Sequence, residues 1–204
     1  VLVESGLSRY QVPPVEDGRE CQRLGCSDAY PQQDYWIVTD RAVNIEGAIC
    51  RLRALEPEDL DAMYGWENDT DVWRASGTVA PFSRHVLSRL IDEQQFDIYA
   101  TRQMRLVVEC KTSRDVVGAV DLFEFDPQNR RAGVGIIITP PHRQQGLALD
   151  ALAAVEDYVR KVLHLHQLWC SVAADNVASL RLFGKAGYEE CGRRREWLLT
   201  ADGA

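Results

Sequence analysis

One stretch constrains this chain more than any other: Gly135-Ile136-Ile137-Ile138-Thr139-Pro140-Pro141-His142-Arg143-Gln144-Gln145-Gly146-Leu147-Ala148. A run of β-branched residues suits a strand, and the Pro-Pro pair ends it, because proline cannot donate to a sheet ladder. The turn from Arg143 to Ala148 follows, and helical spacing begins at once. The helix is expected from Gly146 to near Leu163, with Ala148, Leu152, Val155, Val159 and Val162 on one face. A strand that feeds a helix in this way aims several free N–H groups at the turn, where the helix dipole also favours negative charge. Such a place binds phosphate. A Walker loop would end in Gly-Lys-Ser/Thr, whereas Gly146 is followed by Leu147-Ala148.

With 204 residues the chain is long enough for one substantial domain and an extra segment. Its formal charge of −8, from 23 basic and 31 acidic residues, argues against a nucleic-acid partner and suits a cationic one. No apolar run approaches the roughly 20 residues that cross a bilayer, and no leader pattern opens the chain, so a cytoplasmic protein with no membrane partner is expected. Cys50, Cys110, Cys170 and Cys191 sit in apolar, strand-like runs, where a free thiol packs as a small hydrophobe. Cys21 and Cys26 have no second Cys/His pair nearby, so no metal site is expected.

In chain order, residues 1–47 hold no sustained period and read as an irregular arm, with one candidate strand at Tyr35–Thr39. The domain, residues 48–204, opens on the alternating strand Ile49–Ala54. A helix starts near Pro57 with Leu60, Met63, Tyr64 and Trp66 inward, and fades through residues 67–71. Ser83 caps a second helix, from Arg84 to near Gln94, with Val86, Leu87, Leu90 and Ile91 inward. Strands from Arg105 to Thr112, Val116 to Asp126 and Arg131 to Thr139 form an antiparallel meander. Gly133 and Gly135 inside the third of these mark a bulge or the close approach of a ligand. A strand Gln167–Ala173, a helix Asn176–Ala186 closed by Gly187, and a strand from Tyr188 to Leu199 complete the order.

This order, together with Arg143-x-x-Gly146-x-Ala148 and Asp175-Asn176-x-x-Ser179 followed by Phe183-Gly184-Lys185-Ala186-Gly187-Tyr188, resembles the GNAT superfamily of acetyl-CoA-dependent N-acetyltransferases. The resemblance covers residues 49–199. The segments Arg51-Leu52-Arg53 and Trp66-Glu67-Asn68-Asp69 resemble its polyamine and ribosomal-protein branch. It implies an α/β (α+β) fold: a mixed, mostly antiparallel sheet with a splayed strand pair and helices on both faces. It also implies acetyl-CoA as cofactor. The coenzyme A pyrophosphate would lie on the amides of Arg143, Gln144, Gln145, Gly146, Leu147 and Ala148. The pantetheine arm would pair with the strand end at Ile137, Ile138 and Thr139, with Asn176, Ser179 and Phe183 completing the cofactor site.

The chemistry is direct attack of an amine on the thioester. It needs a neutral amine, donors where the carbonyl oxygen gains charge, and a proton for the leaving thiolate. The N–H near Ile138 is the expected oxyanion donor. Asp121 and Glu124 are the candidate bases, either acting through water; alternation along the strand keeps them from sharing one face, and both could simply face solvent. Relatives commonly hold a tyrosine acid where this chain has Phe183, which has no proton to give. Tyr188 is then the candidate acid, or water serves. Glu67, Asp69 and Trp73 are the candidate acceptor-binding residues.

The GNAT resemblance implies one more strand, inserted between Gln167–Ala173 and Tyr188–Leu199, and no segment after Tyr188–Leu199 is long enough to supply it. The slot is expected to be filled by Tyr35–Thr39 or a partner chain, or left without its strand. The expected function is transfer of acetyl to a primary amine, a polyamine-like small molecule ahead of a protein N-terminus, with homo-oligomerisation left open. The rival is an acyl-CoA-binding sensor that has lost catalysis.

Overall fold

Alternating runs in the middle of the chain become neighbouring strands of one sheet, because every second side chain can be buried against a different helix layer. The computed structural model describes residues 1–6, 45–93 and 97–197. Its first elements are strands β1 (Leu2–Gly6), β2 (Ile45–Glu46) and β3 (Cys50–Ala54), then helices α1 (Leu60–Glu67), α2 (Thr70–Ser76), α3 (Arg84–Glu93) and α4 (Ile98–Thr101). Strands β4 (Met104–Cys110), β5 (Val116–Asp126) and β6 (Arg131–Ile138) follow. After them come α5 (Leu147–Lys161), β7 (Gln167–Ser171), α6 (Val177–Lys185) and β8 (Glu189–Gly192).

The eight strands form one sheet in the order β2-β3-β4-β5-β6-β7-β1-β8. Every pairing is antiparallel except β6 with β7. One face buries Leu52, Val108, Val120, Leu122 and Val134 with Leu152, Val155 and Val159 of α5 and Phe183 of α6. The other buries Val107 and Ala119 with Leu55, Met63, Trp66, Leu87 and Ile91 under α1 and α3. Burying each such side chain stabilises by about 1.5–3 kcal/mol before entropy is counted.

Two features of the sheet position the site. The parallel β6–β7 pairing spans only Arg131–Gly133 and Gln167–Trp169, so the strands part beyond Gly133 and β6 has an open edge. The slot between β7 and β8 is filled by β1, antiparallel to both, with Val3 opposite Cys170 on one side and Glu190 on the other. Leu2–Gly6, expected in an irregular arm, is therefore a strand. It forms because β7 and β8 would otherwise leave two rows of main-chain groups unpaired. Tyr35–Thr39, Cys21 and Cys26 lie outside the described residues.

Other departures have local causes. The stretch at 67–71 is a helix junction rather than a fading end, since Asp69 caps α2 by accepting from the Asp71 N–H. Tyr64 and Val86 point outward, and Arg84 lies 4.5 Å over the Tyr64 ring. Val162 is 54% exposed because α5 ends at Lys161. Gly187, at φ 88°, closes α6 as expected, and the Tyr188 N–H returns to the Phe183 carbonyl. Among the described residues the last strand is only Glu189–Gly192.

Candidate active site

The loop after β6 is shaped by its own short-range bonds. The Thr139 N–H and hydroxyl both reach the Val117 carbonyl, and the Arg143 N–H closes a turn on the Pro140 carbonyl. The Arg143 guanidinium folds back, its Nε donating to the Ile138 carbonyl at 2.9 Å. Gln144 and Gly146 both adopt left-handed backbone, with φ 61° and 84°. That conformation costs glycine nothing, and it swings the chain straight into α5. The N–H groups of Gln144, Gln145, Gly146, Leu147 and Ala148 have no acceptor among the described residues. Five free amides at the start of a fifteen-residue helix fit a pyrophosphate.

Asp150, in the first turn of α5, anchors this cradle. Its carboxylate accepts the N–H groups of Ala48, Ile49 and Cys50 at 2.7, 2.8 and 2.8 Å. Burial works against its charge, but those amides more than offset it and hold the carboxyl below the usual range. The charge is thereby spent on the β2–β3 turn and turned from the loop.

The open edge of β6 adds a second donor row. Successive main-chain groups alternate sides along a strand. Because the Thr139 N–H goes to β5, Ile138 and Ile136 turn their N–H and C=O groups toward the open edge, whereas those of Ile137 belong to the β5 ladder. The bond from Arg143 to the Ile138 carbonyl agrees with that placement.

Beside this edge, on the α1 face of the sheet, lies a cleft of about 280 Å³ lined by Leu55, Met63, Leu90 and Met104 and by Glu67, Arg105, Asp121 and Phe123. Arg105 sits between the two carboxylates, donating to Asp121 at 2.6 and 3.0 Å and to Glu67 at 2.5 Å. Burial opposes its charge, but Asp121 and then Glu67 outweigh that and hold the guanidinium's pKa above its ordinary value. Asp121 faces Gly135 across the β5–β6 ladder, and Phe123 faces Gly133. A Cβ on Gly133 would meet the Phe123 ring at 2.2 Å, so glycine is required there. A Cβ on Gly135 would meet nothing nearer than 3.8 Å, so the surface beside Asp121 stands open. Phe123 packs edge-on against Trp169, at 5.4 Å, where β6 and β7 part. Cleft and cofactor wedge therefore adjoin.

Glu67 and Asp121, expected in two different roles, thus share one cation. Arg105 was the residue not singled out, although the β4–β5 register already carries it opposite Asp121. Trp73 is tied by its indole N–H to the Glu67 carbonyl at 2.8 Å, and Asp69 is occupied as a cap. Glu124 is not governed by simple alternation: it sits at φ 48° in a bulge between Phe123 and Asp126, exposed and without a partner among the described residues.

Asn176 caps α6 through its carbonyl oxygen, accepting the Ser179 N–H at 3.1 Å, which leaves its NH₂ group free to donate. Phe183 and Tyr188 are 4% and 5% exposed and stack edge-on at 5.0 Å. The Tyr188 hydroxyl influences the part-buried carboxyl of Glu156 on α5. Both rings belong to the α5-side core. Among the described residues no cluster could hold a metal ion, and no helix is long and apolar enough to cross a membrane.

A phosphate cradle, an open strand edge and an adjoining acidic cleft together define a transferase that takes its acyl group from coenzyme A. The chain belongs to the GNAT family: the acetyltransferase (GNAT) domain family matches residues 50–189. It is an N-acetyltransferase with acetyl-CoA as donor. Over 139 residues it is 34% identical to the spermidine N(1)-acetyltransferase of Escherichia coli K12, covering 68% of this chain and 72% of that one. The Vibrio cholerae spermidine N(1)-acetyltransferase is 30% identical over 151 residues, 74% of this chain and 82% of the relative. The crystal structure of a Vibrio cholerae spermidine N-acetyltransferase in complex with CoA and spermine superposes with a TM-score of 0.65 at 28% identity, over 71% of this chain and 83% of that one.

Proposed function

We propose that this enzyme acetylates a primary amine of a polyamine, and that the Glu67–Arg105–Asp121 cluster receives the acceptor's ammonium groups. The observation that carries this reading is two carboxylates around one guanidinium in an open cleft beside the free edge of β6. Similarity to spermidine acetyltransferases supports the same choice.

Bound acetyl-CoA supplies a thioester that an amine attacks directly. The amides of Gln144 to Ala148 hold its pyrophosphate, and the Ile138 main chain and the Asn176 NH₂ group hold its arm. The N–H groups of Ile136 and Ile138, both turned from the β5 ladder, are the donors available to the acetyl oxygen. Asp121 takes the amine's proton through water once an incoming ammonium, competing for the same carboxylates, displaces Arg105. Neither Phe183 nor the buried Tyr188 offers a proton at the edge, so the leaving thiolate takes its proton from solvent.

Thiol release on mixing with acetyl-CoA and a panel of spermidine, spermine, propylamine and N-terminal peptides tests the reading. Glu67→Gln and Asp121→Asn should each raise KM for spermidine roughly tenfold or more, a charged hydrogen bond contributing about 1.5–3 kcal/mol, and should change KM for propylamine far less. Equal effects on both amines would refute the acceptor site. Phe183 and the buried Tyr188 also favour a second reading, a sensor. Tight binding of acetyl-CoA with no amine-dependent release would establish it.

A further inference from the structure

Away from the cleft, Cys50 and Cys110 are direct partners across β3 and β4. Main-chain bonds fix the kind of pair. The Cys50 N–H donates to Asp150 and its carbonyl accepts the Gly47 N–H, while the Cys110 N–H donates to the Asp115 carbonyl. None of these groups bonds across the pair. In such a non-hydrogen-bonded pair the Cα atoms approach to about 4.5 Å and the side chains lie closest. That lies within the separation of about 4.4–6.8 Å that a disulfide spans. Both side chains point to the same face, since Cys50 is buried in the α5-side core and Cys110 packs against that core. Both are free thiols.

The two sulfurs are unequal. Cys110 is partly exposed at the end of β4, and the Ser113 N–H, the Ser113 hydroxyl and the Thr112 N–H draw its pKa below the ordinary thiol value. Cys50 is fully buried, and burial with the neighbouring Asp150 carboxylate pushes its thiol up to about 12. One thiol is thus accessible and prone to ionise, and the other stands behind it as a protonated partner.

We propose that Cys110 and Cys50 form a site of reversible oxidation by hydroperoxides, with Cys110 as the attacking thiol and Cys50 as the resolving one. The Cys110 thiolate attacks a peroxide oxygen, the O–O bond breaks, and hydroxide leaves a sulfenic acid on Cys110. The Cys50 sulfur then displaces the sulfenic hydroxyl: the S–S bond forms, and the hydroxyl departs with the Cys50 proton as water. Two thiols and one hydrogen peroxide give one disulfide and two waters. Closure would tie the sheet on both sides of α1–α4, the segment that carries Glu67.

The test is peptide mapping of the folded, reduced chain after equimolar hydrogen peroxide and alkylation. Two alkylatable thiols should disappear, one link should join the Cys50 and Cys110 peptides, and dithiothreitol should restore both. In Cys50→Ala, dimedone should trap a sulfenic acid on Cys110, whereas Cys110→Ser should leave Cys50 reduced. The proposal falls if Cys110 of the unsubstituted chain stays alkylatable after peroxide, or if it links to any cysteine other than Cys50. That mapping needs no variant to fold.

Discussion

Asp59, 4% exposed where the chain enters α1, accepts two bonds from Arg53 at 2.7 and 2.8 Å and one from the Glu56 N–H at 2.9 Å. Burial opposes its charge, but those partners outweigh it and hold the carboxyl below the usual range. A depressed pKa means that this stabilisation is present above the unfolded value of 3.8 and is lost as pH falls below it. Asp59→Ala leaves Arg53 short of its main partner and should cost about 3–5 kcal/mol at pH 7, read from urea midpoints. Glu156 has the opposite sign. Burial raises its pKa and outweighs the lowering influence of the Tyr188 hydroxyl, so its contribution is whole below 4.5 and is lost as pH rises through the folded value. Glu156→Gln should therefore flatten the decline in stability as pH rises above 4.5, and an unchanged decline would count against this account.

At the scale of elements, the β6–loop–α5 unit depends on one backbone angle and one carboxylate. Gly146→Ala forces a side chain into φ 84°, at about 1–2 kcal/mol, and should weaken coenzyme A binding as measured by calorimetry. Asp150→Ala strips three amides of their acceptor, should cost about 1–3 kcal/mol, and should loosen the start of α5 under the loop. This unit was legible in the sequence because everything that makes it is local: a β-branched run, two prolines, a glycine and a helical period. The cleft was only half legible. Glu67 and Asp121 drew attention as acidic residues, but their common partner Arg105 lies 38 and 16 positions away, and no periodicity reports such a meeting. The backbone at Glu124 was not legible for a related reason, since the alternation rule has no means of anticipating a bulge.

At the scale of the molecule, β1 decides whether the β7–β8 end of the sheet is closed. Val3, 6% exposed, packs into the α5-side core, and Leu2–Gly6 pairs on both sides. Val3→Asp should lower the melting temperature by several degrees, as an unpaired buried charge does, and should promote self-association through the exposed edges, visible by size-exclusion chromatography. A short strand with no period of its own gives no sign in sequence of partners more than 160 residues away, so its place was foreseen as a slot but not assigned to this segment. That separation has a further consequence, for the order of assembly. The meander β4–β5–β6 closes with short turns and can form early, whereas β1 leaves the ribosome long before β7 and β8 exist. It must stay unpaired until both of those strands have been made, and the last ladder to zip up is then the one that joins segments more than 160 residues apart.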